Sequence, residues 1–537
     1  MNNPHLRSRR AIAVLSAICL AGLAAAGCSS GAKSSDDSRS IHLLTPLLSQ
    51  LADPAQASGI GMGPILMAME PLVRYESDGS LVPELASKVS TPDPLTYVYD
   101  IRTDVSFWDG STLTAEDVAF SLNLHVGKDS TSINAPLFAS VADVSVVDKD
   151  TVEVSLKDPD PQFSYAVAAV GMVSKAFYDE HGEDVGTPDV LNMGTGPYRI
   201  TEFVPRKELT LEATDDYWGD APEIDSITLS VIGDDAARLN GIQSGEYDGM
   251  LNVPLPQVDS MAGLDGIEST SSPDLSVYKF NLNVATPPWD DIHLRRAFAL
   301  ALNRDGIVEG ALGGHAVEAP TLVPSEFMAA LAGDDETGSA YEEMGRSWDQ
   351  DLDTARSEMA QSSTPDGVSA EVLVTGSDPT LALVAQSAAQ DLSEIGIDLT
   401  IKQVDDQTYY KSVYYEHLTD GVSLDLFSGS SPDASNLPLY ILPGYNAATE
   451  GGPGFNISDY VNPAVDGLIA DSQKLEVDDP ERGAKLIGAL QTAQDDVPYV
   501  PLAFPEVYHA ARDDIDVSGL DTFWWLTRWP YAMAGSS

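Results

Sequence analysis

The sequence predicts a mixed α/β protein with several sheets, at least one of them containing parallel strands. Three observations carry that expectation. Short β-branched runs alternate with helix-period runs from about Ile41 to the end, without a tandem repeat. One strand–helix–strand unit can be read residue by residue between Glu371 and Ile401. The chain has 537 residues, 43% hydrophobic and 21% charged, enough for two or three domains that each bury a core.

The readable unit opens with Glu371-Val372-Leu373-Val374-Thr375, a β-branched strand candidate. Asp378 can then cap the free amides of a helix whose first position suits Pro379. Leu381, Val384, Ala385, Ala388, Leu392 and Ile395 recur at helical spacing and form one apolar stripe. Gly396 stops the helix, and Ile397, Leu399 and Ile401 follow with the period of a strand buried on one face. A crossover of this length joins parallel strands. Elsewhere, Thr114 to Asp117 has the pattern of a capping box. Leu294 to Leu302 reads as a partly buried helix, and Ile227 to Val231 and Tyr278 to Leu282 as strands. Glu450 to Phe455 and Pro443-Gly444 read as loops.

Charge narrows the function. Lys and Arg total 29 against 83 Asp and Glu, a formal net charge of -54. Such a field repels phosphate backbones, so nucleic acid is excluded as a partner. It fits a solvated exported surface or one that steers cations.

The amino end reads as an export signal: Arg7, Arg9 and Arg10, then the apolar run Ala11 to Ala26, too short for a spanning helix. Leu23-Ala24-Ala25-Ala26-Gly27-Cys28 resembles a bacterial lipobox, which implies cleavage before Cys28 and a diacylglycerol on its thiol. Residues 1–27 are then a lipoprotein signal peptide, and 28–40 a lipidated tether, polar and without apolar period. The protein is expected on the extracytoplasmic face of the membrane, held by the lipid alone. Cys19 leaves with the leader, so the mature chain has one cysteine, no disulfide and a charge of -57 from 26 basic and 83 acidic residues.

No catalytic constellation is legible. There is no Gly-x-Ser-x-Gly elbow, no His-Glu-x-x-His pair and no phosphate-binding glycine loop. The histidines lack metal-ligand spacing, so no metal or cofactor is expected. Binding is the better class than catalysis.

Several ordered segments carry a resemblance. They are Gly79 to Ala86, Phe107-Trp108-Asp109-Gly110 through Val118, Gly194-Thr195-Gly196-Pro197-Tyr198, and Asp216-Tyr217-Trp218. Ser244 to Asp248, Pro287-Pro288-Trp289 through Ala297, Tyr460 to Asp466 and Val497 to Leu502 follow in order. Together they resemble the extracellular solute-binding proteins of the peptide/nickel/oligopeptide ABC importer family. Tyr217 and Trp218 are expected to be packing anchors, Gly194, Gly196 and Gly245 to need unusual backbone angles, and Arg295 and Arg296 to make structural ion pairs.

The resemblance implies a two-lobed periplasmic-binding-protein fold of type II that closes like a flytrap. Lobe I would hold 41–284, with an inserted subdomain at about 74–187, and be completed by 500–537; lobe II would hold 285–499. It implies a monomeric receptor that passes a small extended ligand, an oligopeptide first of all, to permease and ATPase subunits. Family members place a peptide-binding strand and an amine-binding aspartate in lobe II. Carried over, these are Phe427, Gly429, Ser430 and Ser431, with Asp433 facing the ammonium. Asp433 also has good turn chemistry in Pro432-Asp433-Ala434-Ser435-Asn436. Phe427 stands where some members carry an arginine for the peptide carboxylate, which keeps sugars and modified cationic solutes open as ligands; a metal chelate is a further alternative that no His or Cys cluster supports. The rivals in other classes are an extracellular lipoprotein hydrolase and a surface adhesin.

Overall fold

In the computed structural model, which describes residues 39–76, 79–376, 378–417, 421–450 and 455–533, the strand–helix–strand unit forms as its residues dictate. Val368–Thr375 and Ile397–Val404 lie parallel, with Val368 opposite Ile397, and the helix Pro379–Ser393 crosses between them. Asp378 caps that helix by accepting from the amides of Thr380 (2.9 Å) and Leu381 (3.3 Å). Leu381, Val384, Ala385, Ala388 and Leu392 form its buried stripe. Gly396 takes φ +85°, which a side chain rarely adopts. The capping box also forms, Thr114 Oγ1 accepting from the Asp117 amide and Asp117 from the Thr114 amide. The leader, Cys28 and most of the tether lie outside the described residues, as does part of the Glu450–Phe455 loop. No helix among the described residues is long and apolar enough to cross a membrane.

From the amino end, Ser40–Leu44 (β1) is followed by the antiparallel pair Val73–Tyr75 (β2) and Leu81–Pro83 (β3). Ala86–Asp93 (β4), Thr96–Ile101 (β5), Val141–Asp148 (β6) and Thr151–Leu156 (β7) make a separate antiparallel sheet in the order β4-β5-β7-β6. It has its own core around Tyr99, Phe138, Val152 and Phe163. Tyr198–Val204 (β8), Glu208–Ala213 (β9), Ser226–Ser230 (β10), Gly249–Met250 (β11) and Ile267–Pro273 (β12) build on β1, which runs parallel to β10 and β11. Ser276–Leu282 (β13) and Ala316–Glu318 (β14) precede the parallel pair Val368–Thr375 (β15) and Ile397–Val404 (β16), and Val422–Ser428 (β17) follows it.

The last strand, Tyr499–Arg512 (β18), joins two regions of the molecule. Its first part pairs with β13 and β14, which belong with β17. Its second part pairs with β12 and β11. The partners change where Ala316 faces Pro505 and Pro273 faces Glu506. Proline has no amide hydrogen, so the ladder is thinned on both sides of that change. β13 is packed with the second region: Tyr278, Phe280 and Leu282 share a core with Trp289, Phe298 and Val500.

The aromatic motif at 217–218 does more than pack. Tyr217 Oη, Trp218 Nε1 (2.9 Å) and Thr195 Oγ1 (2.8 Å) all donate to the buried Glu70 carboxylate. Burial, then the nearby Glu84, pushes Glu70 up to about 8. Arg528 bonds Glu84 and approaches Glu70, tying the chain's end to this cluster. Gly194 and Gly196 serve close packing, not unusual angles. A Cβ at Gly194 would lie 1.9 Å from the Ala68 carbonyl oxygen, and one at Gly196 2.2 Å from that of Met67. Only Gly245 of the three has positive φ, +75°. Arg295 is structural through carbonyls instead of an ion pair, donating to Trp289 (2.7 Å) and twice to Asp496.

Candidate functional site

The strand β17 and the turn after it run between two cavities. One, of about 500 Å³, lies between the residues around the β6–β7 sheet and those after β17; Ser430, Ser431 and Asn436 form part of its wall. The other, of about 690 Å³, lies against Leu426, toward the end of the same strand. Both have the size of ordinary ligand sites.

The second cavity sits where chain direction predicts a ligand. Its walls include Pro46, Val231 and Asn252, just beyond the carboxyl ends of β1, β10 and β11. Gly376 and Asp378, just beyond the carboxyl end of β15, face them from the other region. Clefts outside the carboxyl ends of parallel strands are the usual binding positions of open α/β sheets. Pro505, where the β18 partners change, lies in the same wall, so this is the hinge side.

The first cavity is on the rim side and is crossed by a polar clasp. Gln162 Oε1 accepts from Ser431 Oγ (2.7 Å) and from Asn436 Nδ2 (3.3 Å), and Gln162 Nε2 donates to Ser435 Oγ (2.7 Å). One side chain thereby bonds three residues some 270 positions away along the chain, the separations being 269, 274 and 273. Tyr440 and Phe455 meet edge to face in the wall, ring centres 5.7 Å apart. Asp160 also lines the cavity, held by Ser140 Oγ (2.7 Å). Burial pushes its carboxyl above the usual range, against that hydrogen bond.

The residues expected from the sequence divide between these surroundings. Ser430 and Ser431 face the rim cavity. Gly429 is tucked under Leu275, its amide donating to the Leu275 carbonyl (2.6 Å), and the Ser430 amide donates to Asn436 Oδ1 (3.0 Å). Two main-chain donors of the expected strand are therefore engaged inside the protein. Phe427 turns to the interior, stacked near Tyr414 with Lys279 Nζ 5.4 Å from its ring centre. Lys279 is fully buried against Asp425 (2.9 and 3.1 Å), and burial lowers its pKa while Asp425 opposes that.

Asp433 is buried behind the rim cavity. Arg482 grips it with two nitrogens, Nη1 to Oδ2 at 2.6 Å and Nη2 to Oδ1 at 2.8 Å. Its Oδ1 also accepts from the Ser435 amide (2.8 Å), the turn role that its sequence context allowed. The sequence reading missed Gln162, Asp160 and Arg482. None sits in a motif, and their partners are remote in sequence, so only the folded chain brings them together. Among the described residues no group of histidines, cysteines and carboxylates could hold a metal ion.

Comparison with known proteins supplies the family. Residues 80–448 match the model of the bacterial extracellular solute-binding proteins, family 5. The glutathione-binding protein GsiB of Salmonella choleraesuis (strain SC-B67) is 27% identical over 430 residues, 78% of this chain and 79% of that one. DppA from Helicobacter pylori, an ABC transporter-associated periplasmic binding protein solved with the peptide STSA, superposes with a TM-score of 0.75 at 20% identity. That likeness covers 92% of this chain and 97% of DppA. NikA from Staphylococcus aureus, solved with Ni(L-His)2, gives 0.70 at 19%, covering 89% and 96%.

Proposed function

The chain belongs to family 5 of the bacterial extracellular solute-binding proteins, and from that premise we propose that its solute is a short extended molecule, an oligopeptide first of all, laid along the end of β17. It is a solute-binding receptor of ABC importers and not an enzyme. One observation supports the extended ligand above others: a single strand end runs between two cavities, of about 690 and 500 Å³, whose walls come from both regions joined by β18. A solute touching both regions stabilises the closed form by its differential affinity, and a partner that recognises that form reads occupancy.

In this reading Ser430 and Ser431 contact the ligand main chain, and the α-ammonium enters the rim cavity near Asp433. Asp433 is gripped by Arg482, so the negative charge actually facing the cavity is that of Asp160. Arg482 bonds Asp433 and only eases the Asp160 charge from a distance, so Asp160 is left to meet an ammonium. Gly429 and Phe427 support the strand from behind. The pairing of β13 with β17 favours a lobe crossing at Asp274 instead of Val284. Cys28 anchors the protein to the membrane through lipid; Cys28→Ser should release it to the medium, and unchanged retention would contradict the anchor.

The test is native mass spectrometry of the protein without residues 1–28, before and after mild denaturation. A ladder of short peptides is expected; a single non-peptide species would discard the peptide reading. Free and N-acetylated forms of a bound peptide then locate the amine. The free form should bind at least tenfold tighter, about 1.4 kcal/mol, and Asp160→Asn should remove the difference without touching the Asp433–Arg482 pair. Equal affinities for the two forms would sink the amine assignment.

A further inference from the structure

We propose that the solute is net cationic and that the hinge-side cavity receives its second positive group, an ammonium or guanidinium, in the place where an ordinary peptide would present a carboxylate. This rests on the receptor reading above and adds the charge class of its ligand.

The cavity walls are unbalanced. Asp274, Asp378, Asp235 and Glu506 face the hinge cavity against one base, Arg238. Arg238 is already committed: it pairs with Asp235 and donates to the Ile232 carbonyl and to Gln257. On the rim side Asp158 and Asp160 stand against Lys157, which bonds the Ala139 carbonyl (2.9 Å). Along the whole path the lining carries six carboxylates and two bases.

Among the described residues that line the hinge cavity, no base is free of an acidic partner. Lys279, beside the strand, is fully buried and spent on Asp425, and Arg482 is spent on Asp433. Phe427 contributes a ring that is turned inward.

The acids of the hinge cavity are fixed in place. Asp274 accepts from Ser276 Oγ (2.6 Å), and Asp378 caps its helix. Between them the Tyr278 phenol is kept protonated by burial and by Asp378 and Asp274. Such an array holds oxygens ready for a donor with several N–H bonds, in a cleft whose walls limit solvent screening. A carboxylate placed there would meet like charge and a guanidinium already paired with Asp235. Burial pushes Asp274 up to about 6, a shift that a positive charge placed beside it would oppose.

The experiment is calorimetric titration of the purified protein with three tripeptide amides, Ala-Ala-X-NH2, in which X is lysine, norleucine or glutamate, and with 1,5-diaminopentane. The lysine amide should bind at least tenfold tighter than the norleucine amide, and the glutamate amide weakest. Asp274→Asn and Asp378→Ser, the second keeping a helix cap, should each cut the lysine preference, read as the ratio of lysine-amide to norleucine-amide affinity, severalfold. Peptides that bind without that order, or a preference that survives both variants, overturn the cation subsite and leave the peptide receptor standing. Binding of the diamine alone, lost in Asp274→Asn, overturns the peptide reading and keeps the cation subsite. Failure of all four probes to bind overturns both.

Discussion

The two cavities share one strand and are made of contrasting materials. The rim cavity is walled by rings, amides and hydroxyls beside Asp158, Asp160 and Lys157, and a glutamine reaches across it to Ser431, Ser435 and Asn436. Its buried acid, Asp433, is neutralised bidentately by Arg482. The hinge cavity is walled by strand ends, phenols and carboxylates whose only lining base is committed to Asp235. The difference separates two tasks. Charge that must hold the architecture is paired out of reach, while charge meant for a solute is left facing the opening. On the proposed reading the rim side links occupancy to closure, and the hinge side discriminates.

Breaking a pair on the architectural side should have the largest effect. Arg482→Met leaves Asp433 buried without its counter-charge and should cost about 3–5 kcal/mol of stability, read from the urea midpoint. Lys279→Met, which strands Asp425, should cost a similar amount. Asp274→Asn in the hinge cavity should cost less than about 1 kcal/mol, because no ion pair is lost. Equal losses at Asp433's partner and at Asp274 would erase the distinction between the two kinds of acid.

A smaller effect concerns pH. An unfolded aspartate ionises near the ordinary 3.8, whereas burial in the folded protein pushes Asp274 up to about 6. Between these values the folded state binds more protons, so this group's contribution to stability is fullest below 3.8 and falls as pH rises to 6. Asp274→Asn should flatten that part of the stability profile, measured as melting temperature against pH. An unchanged slope would place the titration elsewhere. The most local effect is that of Gln162→Ala, which should weaken the clasp by less than about 1 kcal/mol and speed ligand dissociation severalfold in stopped flow.

How much of this was legible beforehand depended on distance along the chain. The crossover at 371–401 was readable because cap, stripe and stop all lie within one unit, and Asp378, Leu381 and Gly396 do there what local chemistry asks. The family resemblance rested on short motifs, and the match over residues 80–448 agrees with it. Ser430 and Ser431 were placed on a cavity wall, but the chain of partners behind them was not readable. Asp433 and Arg482 are 49 residues apart, and Gln162 is more than 250 from its partners. An acid-rich sequence adds to the difficulty, since nothing local marks which of 83 carboxylates is buried, capped or left facing a cleft. The reasons assigned to Gly194 and Gly196 failed for a related cause: their neighbour, the Ala68 and Met67 backbone, is remote in sequence.

The proline pair where β18 changes partners has a mechanical consequence. Relative rotation of two bodies joined by a continuous hydrogen-bonded ribbon would ordinarily tear bonds at the bend. Here Pro505 and Pro273 have no amide hydrogen, and the bonds at the change are those of the Asp274 amide to the Pro505 carbonyl (3.3 Å) and the Glu506 amide to the His315 carbonyl (3.2 Å), so fewer bonds resist a twist there than in a full ladder. On the two-lobed reading the strand concentrates rotation at this thinned point, and a receptor that opens there can release each solute without passing through a partly unfolded state.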